Sequence, residues 1–261
     1  MSSSRPALLV LVLATVTLAA GCTTPAVKRA SAPASTPGTE STSAASPGPS
    51  EFPPRDQLLT ALEKSRNAAY RFSVSGDVPD KQKVTGSGAF DPKAKRLSVK
   101  YKITGGKETE QTQRIVVGTD LYSRESSGES WVHLDLKRIK KDSLYSFDMT
   151  DPTGLSRFTS SVGQVRSTGP NAYAGTLNIK GDRFNEGFLP VGAPAVSVLF
   201  GGNAQFTATT DAAGWVTSIG VTLRDGDSTL KMSTRLSGHG KASGVKKPSS
   251  YGEAWDFYYD K

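Results

Sequence analysis

Cysteine and histidine are almost missing from this sequence. The 261 residues include one cysteine, Cys22, and two histidines, His133 and His239. A single cysteine excludes a disulfide within the chain and excludes Cys-rich zinc modules. Two histidines leave little room for a histidine-based metal centre. Long apolar runs are also lacking: the longest, Ala7 to Ala20, falls short of the ~20 residues that span a bilayer. A multi-span membrane protein is therefore excluded. So is a wholly disordered chain, because 36% of the residues are hydrophobic. Catalytic signatures are absent too: there is no G-x-S-x-G elbow, no G-x-x-x-x-G-K-S/T loop and no H-E-x-x-H. Gly238-His239-Gly240 opens like a dinucleotide motif but lacks the third glycine. Glu108 and Glu110 fall in a charged turn without the partner carboxylate that glycoside hydrolysis needs. No enzymatic activity, cofactor or metal is expected.

What is present begins with a secretion signal. Arg5 precedes the apolar run ALLVLVLATVTLAA, which has the length of a signal-peptide core. Leu18-Ala19-Ala20-Gly21-Cys22 follows and resembles a lipobox, in which small residues admit the peptidase and the thiol receives a diacylglyceryl group. The bland alternative is an ordinary signal peptide with a buried thiol. Residues 23–50 are almost entirely Ser, Thr, Pro, Ala and Gly, from which no core can form. They read as a tether reaching roughly 30 Å. The expected division is a signal at 1–21, the lipidated Cys22 and tether at 22–51, and a folded domain at 52–261.

The domain reads as β-rich. Pro53-Pro54-Arg55-Asp56 opens a helix whose Leu58, Leu59 and Leu62 share a side. Alternating segments follow at 70–75 and 96–103, the second with Leu97, Val99, Tyr101 and Ile103 on one face. Further strand patterns lie at 114–117, 121–124, 131–136, 173–179, 206–210, 215–223 and 230–236, many joined by tight turns. Asp151-Pro152 reads as an N-cap and first helical residue, with Leu155, Phe158 and Val162 at helical spacing behind it. Phe184 to Phe200 is apolar but broken by Gly and Pro. It reads either as a packed crossover or as an apolar flap at a cavity mouth. The pattern predicts an α+β fold with a large antiparallel sheet and a few short helices.

The charge is modestly basic. Of the net +8, Arg5 contributes one and the tether residues Lys28, Arg29 and Glu40 together one, so residues 51–261 carry +6. The excess is spread thinly and does not point to nucleic acid. Its densest run is Lys137-Arg138-Ile139-Lys140-Lys141, either a solvated loop or a patch attracted to anionic headgroups. Lys246-Lys247 invites the same two readings. His133 reads as a surface or edge residue.

Four segments, taken in order, carry a resemblance. They are LLTALEKSRNAAYRFSVSG, VVGTDLYSRESSGESWVHLD, the start Asp151-Pro152 with Leu155, and FTATTDAAGWVTSIGVTL. From Leu58 onward the chain resembles the LppX/LprA/LprF/LprG lipoproteins of actinobacteria, relatives of the LolA-like carriers. The resemblance implies a curved half-barrel sheet with helices across its concave face and a cavity for acyl chains between them. Strand parity then places Tyr70, Phe72, Leu97, Val99, Tyr101, Ile115 and Val117 on the concave face, opposite Leu58, Leu62, Leu155, Phe158 and Val162. Val132 and Leu134 are expected to point inward and Trp131 outward. The implied protein is a monomer at the extracytoplasmic face of the cell membrane. It is held there by its N-terminal acyl anchor and binds a lipid or lipoglycan. The competing reading is a LolA-like interaction or sensor module without a ligand.

Overall fold

The computed structural model describes residues 53–140, 149–178, 203–225 and 228–260. The signal segment, Cys22, the tether, Lys141 and the Phe184–Phe200 stretch lie outside the described residues. Helix α1 (Pro54–Arg66) leads into six strands: β1 (Tyr70–Val78), β2 (Gln82–Asp91), β3 (Arg96–Thr104), β4 (Glu110–Val117), β5 (Asp120–Arg124) and β6 (Val132–Asp135). Helix α2 (Leu155–Ser161) is followed by β7 (Val162–Gly169), β8 (Ala172–Leu177), β9 (Asn203–Thr210), β10 (Val216–Asp225) and β11 (Ser228–Ser237). The short β12 (Gly252–Glu253) and α3 (Phe257–Asp260) close the described chain.

Among the described residues, twelve strands form one open sheet in the order β12-β6-β5-β4-β3-β2-β1-β11-β10-β9-β8-β7. Two meanders therefore run outward from the centre, and β1 and β11 join them there. The pairings are antiparallel except at one edge, where β12 runs parallel to β6. The fold is the expected half-barrel, with one parallel strand added at its edge.

Register explains the inner face. Tyr70, Phe90, Leu97, Val116, Leu121 and Leu134 pair in succession across six strands. Each is at most 5% exposed. The helices cover this face: Leu58 and Leu62 of α1 and Leu155 and Phe158 of α2 belong to the same buried cluster. Ser65 of α1 is buried with them, and its hydroxyl accepts the backbone N–H of Val216 at 3.0 Å. Val132 and Leu134 face inward, as parity predicts. Trp131 lies on the other side under the Arg124 guanidinium, 4.5 Å from its ring centre.

Three expectations are corrected. Ile115 and Val117 do not reach the inner face. Ile115-Val116-Val117 is an uninterrupted apolar triplet, so its composition carries no alternation. Register with Leu97 turns Val116 inward, and Ile115 pairs with Ser98 and Tyr122 on the outer face. Helix α2 starts at Leu155, not at Asp151, because Gly154 stands before it in the left-handed region (φ 74°). Asp151 still serves the helix, since its carboxylate accepts the N–H groups of Ser156 at 2.9 Å and Arg157 at 2.8 Å. Val162 opens β7 and does not continue the helix, although it stays in the core.

Alternation in the sequence does not reveal strand β2, because glycines replace the apolar side chains on its inner face. A Cβ at Gly88 would stand 2.5 Å from the Phe72 ring and 2.2 Å from the Ser98 carbonyl oxygen. At Gly86 it would stand 2.6 Å from the Tyr101 ring. The two glycines leave room for aromatic rings from the strands on either side.

The register makes an isosteric pair of substitutions diagnostic. Val116→Thr buries a hydroxyl without a partner and should destabilise the fold by about 1–3 kcal/mol. Val117→Thr, half-buried on the other face, should change stability by less than about 0.5 kcal/mol. Denaturant unfolding of the two variants checks this, and equal losses would contradict the register.

Candidate functional site

The residues predicted to line a cavity separate into two groups. Leu58, Leu62, Tyr70, Phe72, Leu97, Val99, Leu155, Phe158 and Val162 come together in one buried cluster under α1 and α2. Tyr101 packs at its border, against a second cluster of Val74, Val78, Val84 and Met232. Ile115 and Val117 are excluded by register. Within the cluster the contacts are close. Tyr70 meets Phe90 edge-on at 5.9 Å between ring centres, and Phe158 meets Phe206 at 5.6 Å. Tyr70 Oη shares a buried 2.6 Å hydrogen bond with Thr153 Oγ1. Burial pushes the Tyr70 phenol far up, with the Thr153 bond opposing, so the group stays neutral.

Beside this cluster lies a cavity of about 700 Å³ spanning β7 to β11. One cross-strand row runs through it: Val165, Gly175, Phe206, Val221 and Met232 pair in succession. Gly175 is required there, since a Cβ would lie 2.0 Å from the Gln164 carbonyl oxygen and 2.8 Å from the Phe206 ring. Phe206, Val221 and Met232 are each at most 5% exposed, and Phe206 meets Phe158 of α2, so the side chains of this row belong to the packed core. Arg55, Arg166, Lys231, three threonines and two glutamines also line it, and no described lining residue is acidic. Thr176, Gln205, Thr207, Thr222 and Lys231 alternate with the buried row and point to the opposite face of the sheet. Arg55, in the first turn of α1, is held by donating Nε to the Gly163 carbonyl at 3.2 Å and Nη2 to that of Val162 at 3.4 Å. None of the twelve predicted lining residues borders this cavity. The alternation Ala204-Gln205-Phe206-Thr207-Ala208 marks the buried face of β9 and gives no sign of the pocket.

The two histidines sit apart from the cavity. His133 is on the outer face of β6, where its Nε2 meets Asp120 at 2.9 Å and its Nδ1 meets Glu253 at 2.7 Å. Its ring stacks on Tyr122 at 5.0 Å, and Tyr251 closes over both. Burial alone would lower its pKa, but the two carboxylates outweigh it and the net shift is upward. The cluster ties the C-terminal segment to the sheet. His239 stacks on Trp215 at 5.0 Å, and burial holds its pKa below the usual histidine value. Among the described residues no group of three potential ligands could hold a metal ion, and no helix is long and apolar enough to cross a membrane.

No family model matches the chain, and no curated protein matches it. Among solved structures it is similar to an uncharacterized conserved protein from Thermus thermophilus, at 8% identity and a TM-score of 0.38. That match covers 76% of this chain and 97% of the other. It is also similar to a LolA superfamily protein from Nitrosomonas europaea, at 11% identity and a TM-score of 0.25, over 78% of this chain and 97% of the other.

The His133 cluster makes stability depend on pH in a defined direction. A folded-state pKa above the unfolded value stabilises the fold below the unfolded pKa and loses that contribution as pH rises through the folded one. Replacing His133 by Gln should therefore lower the unfolding midpoint more at about pH 5.5 than at about pH 8.5. Chemical denaturation at both values tests this; a loss equal at both or larger at the higher pH would exclude the ionic tie.

Proposed function

We propose that this chain is an extracytoplasmic, LolA-like lipoprotein that binds the acyl chains of a lipid or lipoglycan without chemical change. In this reading it belongs with the LppX/LprA/LprF/LprG lipoproteins and is held at the cell membrane through Cys22. The observation that carries the binding half is the pocket of about 700 Å³ across β7 to β11, lined by basic, hydroxyl and amide residues with no acid among the described ones. Ligand sites typically measure ~300–1,000 Å³, with mostly apolar walls and a few placed polar groups. Here Arg55, Arg166, Lys231 and the threonines suit a polar head, while Phe206, Val221 and Met232 are buried in the core. Burial of apolar surface drives binding, at roughly 25 cal/mol per Å² before the loss of freedom is subtracted. Such binding needs no nucleophile or metal.

The anchoring half rests on the apolar run ending in Leu18-Ala19-Ala20-Gly21-Cys22 and on the tether behind it. Two or more acyl chains hold a protein stably on a bilayer, whereas one does not. Cys22→Ser should leave the signal uncleaved or release the protein from the membrane fraction. A variant that still matures and remains membrane-bound would defeat this part of the reading.

Ligand binding is tested by native mass spectrometry of the protein purified from a lipid-rich host. The parent should carry a lipid. Val165→Trp, at a half-buried position on the cavity wall, should cut the load at least fivefold while barely moving the unfolding midpoint. Phe158→Trp is the counterpart in the packed core and should destabilise the fold by about 1–3 kcal/mol through overpacking. A parent that neither carries lipid nor takes it up when offered would put the interaction module in first place.

A further inference from the structure

The large hydrophobic side chains left exposed among the described residues gather in one short segment: Tyr251, Trp255 and Phe257. Trp255 is 75% exposed and Phe257 41%. Their rings meet edge-on at 6.0 Å, so they form one patch. Exposed apolar side chains gathered in this way mark an interaction site.

The patch is held rigidly in place. Gly252 donates its N–H to the Trp131 carbonyl at 2.8 Å, and Ala254 donates to that of His133 at 2.9 Å. Tyr259 is buried, and its hydroxyl accepts the Asp135 N–H at 3.1 Å. Ala254 and Tyr258 pack against the core. The segment 251–259 thus divides its aromatic residues: Tyr258 and Tyr259 face the protein, and Trp255 and Phe257 face away.

The same contacts bring in the densest basic run of the sequence. Arg138 lies over the Tyr259 ring at 3.8 Å and pairs with Asp256 at 3.2 Å. These two contacts place the run beside the aromatic segment, and Ile139 packs against the core. Lys137, Arg138 and Lys140 are all exposed. Residues 138 and 256 lie far apart in the chain, so only the fold unites the two features. Exposed Trp and Phe next to Lys and Arg is the combination that suits a membrane interface: the rings enter the headgroup boundary and the cations meet anionic lipid.

We propose that Trp255 and Phe257, flanked by Lys137, Arg138 and Lys140, form a docking surface for an anionic lipid bilayer. The surface is distinct from the cavity and from the Cys22 anchor. It would orient the domain on the membrane instead of leaving it to swing on its tether. Of the acids beside this surface, Asp256 pairs with Arg138 and Glu253 with His133, while Asp135 accepts the Lys137 N–H; Lys137 and Lys140 are the exposed cations that would meet anionic headgroups.

The test uses the full chain with vesicles containing brominated phosphatidylglycerol, and with brominated phosphatidylcholine vesicles for comparison. The Trp255 share of fluorescence quenching is the difference between the parent and Trp255→Phe, since Trp131 and Trp215 remain. That share should be large with phosphatidylglycerol and at least fivefold smaller with phosphatidylcholine. It should also fall at least fivefold in Lys137→Gln/Lys140→Gln, in line with about 1 kcal/mol, or fivefold, per charge near the surface. Quenching reports the depth of Trp255, not attachment of the chain, so failure of the acyl anchor and failure of this surface are distinguishable. No quenching of Trp255, or equal quenching by both lipids, would overturn the proposal. So would shielding of Trp255 by a protein partner with the vesicles left unbound.

Discussion

Pairing between β1 and β11 is the constraint on which the rest of the molecule depends. Each meander on its own is a sheet with one apolar face and a free edge. Joined through Arg71↔Ser237, Phe72↔Leu236 and Val74↔Thr234, they share a single inner face that α1 and α2 can cover. The partners come from opposite ends of the domain, so closing this contact orders a long stretch of chain before any reward is collected. The reward is the core itself: Phe72 and Leu236 are both buried there, and the two apolar faces become one. Helix α1 is fixed to the β7–β11 meander at both of its ends. Arg55 at its start holds carbonyls at the head of β7, and Ser65 near its end holds Val216 at the head of β10.

The outer face follows a different logic. There, residues 238–253 run back from the β1 side to the β6 edge. Gly240 donates to the Ala69 carbonyl at 2.8 Å, Arg96 donates to that of Val245 at 3.2 Å, and His133 grips Glu253. The strap covers outward-facing residues such as Tyr122, which is 3% exposed. It also covers the β6 edge by adding β12. An open edge is a template for unwanted pairing, and a two-residue parallel strand followed by a helix blunts it.

Cavity and surface patch are thus products of one arrangement. The cavity lies across β7 to β11. The aromatic patch sits at the opposite end of the strand order, on the β12 edge. The two can therefore vary independently, because no described residue serves both.

Local composition and alternation were enough to determine the large antiparallel sheet, the helix at Pro54–Arg66 and the inward sides of β1, β3 and β6. These signals are local: an apolar residue at every second position, or a proline opening a run of helix formers, has the same meaning in most surroundings. Tertiary structure decided the rest. Val116 faces inward instead of Ile115 and Val117 because only pairing with Leu97 sets the parity of three apolar residues in a row. Strand β2 exists because Phe72 and Tyr101 fill the space that Gly86 and Gly88 leave. The core under the helices, read from sequence as cavity lining, is packed around Tyr70 and Phe158, whereas the cavity lies among strands whose alternation carried no mark of open space. Whether an apolar face meets side chains or a void depends on what stands opposite it, and that is a property of the assembled fold.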